Sequence, residues 1–225
     1  MKIILIHQAA SAAEPAEKYD SSSFEEAVQR ELKSGIAPSA AEQSDASAYR
    51  IYTGTFTAAG QTAEALFGAG CVSEETPLLD DVVPKAFTET DREYPLWVWR
   101  SMARLQWQLG SPRQPENRKT TLIRANRLID RLEEDEKDCV IISGGLMLKT
   151  LLTALYKRGY CIEGGSGRLE PLARVRATKK DLHCGGCLHN CMLSNPGCGV
   201  GKEKARNAYG DEKFSGLPLR KAQRR

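Results

Sequence analysis

Short unbroken apolar runs alternate along this chain with longer stretches in which apolar residues recur at helical spacing. The runs at residues 3–6 and 139–142 are typical of strands buried on both faces of a sheet. Residues 24–33, 95–110 and 120–138 carry apolar side chains at intervals of three and four, which predicts amphipathic helices. This alternation predicts an α/β fold whose mostly parallel sheet has helices on both faces.

Three further segments complete the predicted order of elements. Residues 50–63 have the pattern of a strand, a turn and the start of a helix. Residues 78–84 are predicted to form another strand, which is entered through the acidic pair Asp80 and Asp81. Residues 172–177 are predicted to form the last strand of the sheet.

Composition changes this picture little. The 225 residues are 41% hydrophobic and 27% charged, as in ordinary soluble globular proteins. The longest apolar run is too short for a membrane span or for the core of a secretory signal, so we expect a cytoplasmic protein without membrane contact. A formal net charge of +3 favours a nucleic-acid partner only weakly.

Polar and small residues follow the two most apolar runs directly. His7 and Gln8 end the first run, and Ser143, Gly144 and Gly145 end the other. In open α/β sheets, ligands bind where the chain leaves the carboxyl ends of the strands. The glycine pair also leads into a predicted helix, whose exposed N–H groups can hold an anion.

The opening segment resembles the first strand of the histidine phosphatase (phosphoglycerate mutase-like) superfamily. In that family an apolar strand runs into Arg-His-Gly-Glu-Ser or Arg-His-Gly-Glu-Thr. In a gapless alignment the family's Arg falls on His7, its phosphate-accepting His on Gln8, and its final residue on Ser11. The strand is therefore kept, whereas the residues that carry the chemistry are replaced.

Two later segments carry the same resemblance. Gln61, Thr62 and Ala63 match the end of the family's second signature, but its second phosphate-binding Arg falls on Ala58. The second catalytic His of the family falls on Gly144. The resemblance covers about residues 1–180 and implies a phosphoglycerate mutase-like fold.

The replaced positions argue against phosphoryl transfer. An alanine methyl group cannot replace a bidentate guanidinium, and phosphoryl transfer depends mainly on charge stabilisation. His7 stands one position early, and a shift of one residue along a strand turns a side chain to the opposite face. The resemblance therefore implies a catalytically inactive, binding or regulatory protein, with a divergent phosphatase as an alternative. A further alternative, which rests on the C-terminal cysteines and not on the resemblance, is an iron–sulfur redox or sensor protein.

The pocket formed by these replaced positions is predicted to bind a small anionic or phosphorylated ligand, or a protein partner. The degenerate catalytic positions are His7, Gln8, Ala58 and Gly144. The candidate pocket residues are His7, Gln8, Ser11, Gln61, Asp81, Ser143, Gly144 and Gly145.

Four of the seven cysteines lie close together in the C-terminal part. They are Cys184, Cys187, Cys191 and Cys198, with the spacing C-x2-C-x3-C-x6-C. Neighbouring thiolates repel one another unless a cation neutralises them, so this spacing predicts a metal site. Tetrahedral thiolate sites suit both zinc and a [4Fe-4S] cluster, and zinc is slightly favoured because it tolerates irregular spacing. The other cysteines, Cys71, Cys139 and Cys161, are predicted to be buried.

These patterns divide the chain into three predicted parts. Residues 1–180 form the α/β domain, 181–201 a small Cys-rich module, and 202–225 a basic, flexible tail. Contact of the tail with nucleic acid or another acidic partner would be sensitive to salt.

Overall fold

The computed structural model describes residues 1–37, 44–45, 47–164 and 169–179. The strands in this part of the chain are β1 (Lys2–His7), β2 (Lys18–Tyr19), β3 (Arg50–Thr53), β4 (Glu74–Glu75), β5 (Tyr94–Pro95), β6 (Cys139–Ser143), β7 (Tyr160–Glu163) and β8 (Arg174–Lys179). The helices are α1 (Ser21–Lys33), α2 (Thr57–Phe67), α3 (Leu96–Leu109), α4 (Arg118–Asp135) and α5 (Gly145–Lys157). The four-cysteine segment lies outside these residues.

The main sheet is mixed but mostly parallel. Its six described strands lie in the order β4-β3-β6-β1-β8-β7. Strands β4, β3, β6 and β1 pair in parallel, whereas β8 is antiparallel to both of its neighbours. A separate two-stranded sheet joins β2 to β5. The prediction of an α/β fold with a mostly parallel sheet is confirmed.

Alternate side chains of the central strands enter two different cores, which explains their unbroken apolar runs. Ile3 and Leu5 of β1 pack on the side of α4 and α5. Ile6 points to the other face, where Ala59 and Ala63 of α2 cover it. Helices therefore cover both faces of the sheet, as the sequence predicts.

A third apolar cluster lies beyond the carboxyl ends of the strands. It is formed by α1, α3 and residues 83–87, together called the annex below. Trp99 is fully buried there, stacks on Phe24 with ring centroids 5.2 Å apart, and donates its ring N–H to the carbonyl of Tyr19 at 2.8 Å. The annex forms one wall of a cavity at the carboxyl ends of the strands.

The predicted strand at residues 78–84 is wrong. Pro77–Leu79 forms a 3-10 turn, and the chain then passes through Asp80 and Asp81 without joining a sheet. Two features stabilise this turn. Proline favours a helical first position, and Arg124 donates to the carbonyls of Pro77 and Asp80 at 2.9 and 2.6 Å.

Two other boundaries shift for local reasons. The last strand is Arg174–Lys179 rather than 172–177, because Leu172 has a φ of +63°, which a strand residue cannot adopt. Helix α1 begins at Ser21, before the predicted Phe24, because Asp20 and Ser23 form a capping box there.

Cys139 and Cys161 are buried as predicted, but Cys71 is only partly buried. Within the described helices, none combines the length and the apolar character that a bilayer span requires.

Candidate functional site

A cavity of about 840 Å³ lies between the carboxyl ends of β1 and β6 and the annex. Its floor is formed by His7 and Gln8 after β1, Gly144 and Gly145 after β6, and the segment that begins at Asp81. Leu96, Ala103 and Trp107 of α3 contribute an apolar wall. Six of the eight predicted pocket residues line this cavity: His7, Gln8, Ser11, Asp81, Gly144 and Gly145.

The parallel pairing of β1 and β6 brings the two sequence segments of the floor together. His7 is in register with Ser143, and the backbone N–H of Gln8 donates to the carbonyl of Ser143 at 3.0 Å. Both strands therefore end at the same level, and the residues that follow them face one cavity. This is the edge at which open α/β sheets bind ligands.

The carboxylate of Asp81 lies at the N-terminus of α5. Gly144 is the N-cap residue of this helix and has no side chain to accept the free N–H groups. Asp81 supplies the acceptor instead, because its Oδ1 accepts a hydrogen bond from the N–H of Met147 at 2.8 Å. A Cβ atom added to Gly144 would overlap this carboxylate. The glycine is therefore required by the close approach of Asp81.

The electrostatic state of Asp81 follows from its surroundings. Burial raises the pKa of its carboxyl above the ordinary value, although the Met147 N–H and the nearby charges of His7 and Arg124 work in the opposite direction. The guanidinium of Arg124 is held by backbone carbonyls and by Glu116 at 2.7 Å. Asp81 consequently forms no ion pair with any side chain in the described part of the chain.

His7 lies on the other side of the glycine turn. A Cβ atom added to Gly145 would be 3.2 Å from its Nε2, so the ring packs directly against the turn. Its Nδ1 is buried and has no hydrogen-bond partner among the described residues. No described residue therefore holds this nitrogen, in contrast to catalytic histidines whose Nδ1 atom is fixed by a hydrogen bond.

Ala58 lines the cavity from the first turn of α2 and is almost completely buried. Thr62, one turn further along α2, joins the floor to this helix, although the sequence pattern predicts no role for it in the pocket. The Thr62 hydroxyl accepts from the N–H of Ala9 at 3.0 Å and donates to the carbonyl of Ala58 at 2.6 Å. Its position in the matched Gln61-Thr62-Ala63 segment was the only signal for it.

Two predicted pocket residues have other contacts and do not line the cavity. Gln61 accepts a hydrogen bond from the N–H of Ile36 at 2.9 Å and so holds the chain that follows α1. The buried hydroxyl of Ser143 donates to the carbonyl of Leu79 and fixes the turn before Asp81. Ser11 does line the cavity, and its hydroxyl lies 2.5 Å from that of Ser34.

Basic side chains line the annex side of the cavity. They are Arg30 of α1 and Arg100 and Arg104 of α3; the lining also includes Lys149 of α5, the helix that begins at the floor. Arg100 forms an ion pair with Glu31 at 2.6 Å. Arg30 and Arg104 make no side-chain hydrogen bond or ion pair within the residues that the structure describes. These two guanidinium groups are therefore free to contact an anion in the cavity.

The described residues contain no group of three or more His, Cys, Asp or Glu side chains placed to hold a metal ion. The predicted ligands Cys184, Cys187, Cys191 and Cys198 lie outside them.

Comparison with known proteins gives only distant matches. No protein-family model and no curated protein matches the sequence. The protein from open reading frame Rv3214 of Mycobacterium tuberculosis is 14% identical, with a TM-score of 0.46, over 80% of this chain and 91% of that one. The alpha-ribazole phosphatase of Shigella flexneri is 18% identical, with a TM-score of 0.44, over 69% and 79%. A phosphoserine phosphatase of Entamoeba histolytica is 15% identical, with a TM-score of 0.40, over 69% and 80%. All three TM-scores lie below 0.5, so these matches assign neither a family nor an activity to this chain.

Proposed function

We propose that this protein binds a small organic anion in its cavity and does not transfer phosphoryl groups. The observation that carries the proposal is the distribution of charge. The unpaired guanidinium groups of Arg30 and Arg104 lie on the annex side, while a carboxylate, that of Asp81, occupies the helix end at the floor. Phosphoryl transfer would need positive charge at the floor, whereas an anion bound on the annex side does not.

Phosphoryl transfer needs positive groups around the phosphorus atom and a nucleophile in line with it. At the floor, the N-terminus of α5 already interacts with Asp81, whose carboxylate would repel a phosphoryl group. Position 58 offers only a methyl group, and among the described residues the buried Nδ1 atom of His7 has no hydrogen-bond partner. These features remove the charge stabilisation on which the chemistry depends.

The annex side offers what an anion requires. Arginine presents a planar set of donors that bind carboxylate or phosphate oxygens in pairs. The cavity volume of about 840 Å³ falls within the range of sites for organic ligands of moderate size. The apolar wall of Leu96, Ala103 and Trp107 would contact the carbon skeleton of such a ligand.

Calorimetric titration with hexyl phosphate tests the proposal. We expect Arg30→Ala and Arg104→Ala each to weaken binding roughly 10-fold, as loss of a charged hydrogen bond does. Arg127→Ala is the matched control, because Arg127 is exposed on α4 and does not line the cavity. Equal affinities for all four proteins would contradict the proposal.

A divergent phosphatase is the second candidate, because the Nε2 atom of His7 does lie at the cavity floor beside Gly145. Its test is the hydrolysis of p-nitrophenyl phosphate by the wild-type protein and by His7→Ala. Turnover that disappears in the variant would favour the phosphatase over the binding protein.

We also propose that Cys184, Cys187, Cys191 and Cys198 bind one metal centre, with zinc slightly favoured over a [4Fe-4S] cluster. The support is their spacing, which is compact and includes one Cys-x2-Cys unit. Metal and acid-labile sulfide content of protein purified without oxygen would distinguish the two. Such a site fits a cytoplasmic protein, where thiols stay reduced.

An iron–sulfur centre would make the segment a redox or sensor module. The basic tail that follows it is proposed to contact an acidic partner, with nucleic acid the weaker candidate. Binding of labelled nucleic acid that weakens steeply with salt would support that role.

A further inference from the structure

We infer that the cavity selects an organic anion that also carries a primary amine, with the ammonium group at Asp81 and the acidic group at Arg30 and Arg104. This inference rests on the proposed function and adds the chemical class of the ligand. It also assigns an orientation, in which the anionic end lies on the annex side and not at the ends of the strands.

The floor carries a carboxylate that forms no ion pair with any side chain in the described part of the chain. One oxygen of Asp81 accepts from the Met147 N–H, which leaves further acceptor capacity on the carboxylate. The guanidinium of Arg124, whose charge acts on Asp81, is used by the carbonyls of Pro77 and Asp80 and by Glu116. A half-buried carboxylate without an ion pair is costly unless something else supplies the opposite charge.

The other polar groups at the floor are compatible with a ligand whose ammonium group lies there. Gln8 lines the same cavity, and its side-chain carbonyl can accept a hydrogen bond. His7 packs on the opposite side of the glycine turn, with its Nδ1 atom buried and unpaired. A ligand ammonium, with three N–H donors, matches the remaining acceptor capacity of Asp81 and the carbonyl of Gln8 better than an anionic group does.

The annex supplies the opposite charge at a separate part of the cavity. Arg30 extends from α1 and Arg104 from α3, and neither is neutralised within the described chain. Arg100 lies one turn before Arg104, but its ion pair with Glu31 uses its charge. The apolar side chains of Leu96 and Trp107 lie on the same helix as Arg104, so the middle of the ligand would be a hydrocarbon chain or ring.

Two probes that differ only in the amine test this inference: 6-aminohexyl phosphate and hexyl phosphate. We expect the wild-type protein to bind the amine about 10-fold more tightly, since a charge-assisted hydrogen bond is gained. Asp81→Asn should abolish this preference, so that the two probes bind the variant with the same affinity. The asparagine carbonyl can still accept from the Met147 N–H, so the helix end stays capped.

Asp80→Asn is the matched control. The Asp80 carboxylate is bonded to the N–H and hydroxyl of Thr55 and does not line the cavity, so this variant should keep the preference. Equal affinity of the wild-type protein for both probes, or a preference that survives in Asp81→Asn, would overturn the inference alone. Binding of neither probe would overturn the proposed function as well.

Discussion

The carboxylate of Asp81 lies in the space that a side chain at position 144 would occupy. Gly144 has φ −75° and ψ 165°, a conformation that any residue adopts without strain. Glycine is therefore needed here because of Asp81 and not because of the backbone. Gly144 has no side chain that could cap α5, and Asp81, from a distant segment of the chain, supplies the acceptor instead.

Gly144→Ala should lower the free energy of unfolding by about 2–3 kcal/mol, because the new Cβ would displace Asp81 and uncap α5. Urea denaturation checks this value. The same substitution in an Asp81→Ala background should cost less than about 1 kcal/mol, since the overlapping carboxylate is gone. A full cost in that background would show that the overlap is not the cause.

Gly145→Ala is the control for the turn itself. Its Cβ would be 3.2 Å from His7 Nε2, a tight contact that a small ring movement relieves. Alanine is also the better helix former at this first helical position, which offsets part of the strain. We expect this variant to be clearly more stable than Gly144→Ala.

The pH dependence of stability should identify Asp81. Because burial raises its pKa above 3.8, the native state binds this proton more tightly than the unfolded chain does. Its contribution to stability is therefore fully present below about pH 3.8 and is lost as the pH rises through the raised native pKa. Asp81→Asn should remove this decline when unfolding is measured by urea from pH 3 upwards.

Glu133 should show the opposite dependence. Burial works to raise the pKa of its carboxyl, but hydrogen bonds from Tyr160 and Lys179 outweigh it and hold the pKa below the ordinary 4.5. Its contribution is fully present above about pH 4.5 and is lost as the pH falls through the lowered native pKa. Glu133→Gln should therefore reduce stability at neutral pH and should matter least in acid. If Asp81→Asn and Glu133→Gln changed the pH dependence of the unfolding free energy in the same direction, these assignments would be contradicted.

Substitutions of two tryptophans of α3 should differ in their effect on stability, because one lies in the core and the other on the surface. Trp99 is fully buried in the annex, whereas Trp97 is 70% exposed. Trp99→Ala should cost about 3–5 kcal/mol, because it leaves a cavity and removes the hydrogen bond to the carbonyl of Tyr19. Trp97→Ala should change stability by less than about 0.5 kcal/mol. Thermal unfolding of both variants provides the measurement.

The residues at the floor of the cavity were predictable from the local sequence, but the contact of Asp81 with the N-terminus of α5 was not. His7, Gln8 and Gly144 follow buried strands, and parallel strands bring such residues to one edge. Asp81 was a candidate, yet its contact with Met147 joins residues 66 positions apart. That contact depends on the turn at Pro77–Leu79, where the apolar pattern wrongly predicted a strand.

The cations on the annex side were also hard to predict. Arg30 and Arg104 lie on the exposed parts of amphipathic helices, where basic residues are normally just solvated. The spacing of Arg100 and Arg104 with Trp107 placed them on one side of α3. Only the packing of α1 and α3 across the strand ends assigns that side to a cavity.

The most direct test combines binding and chemistry in one sample. Hexyl phosphate is titrated calorimetrically into the wild-type protein, and the cell contents are then assayed for inorganic phosphate. Binding without release of phosphate is the predicted result, because arginines of the annex hold the anion while the floor lacks phosphoryl-transfer groups. Absence of binding, or release of phosphate that requires His7, would contradict the account.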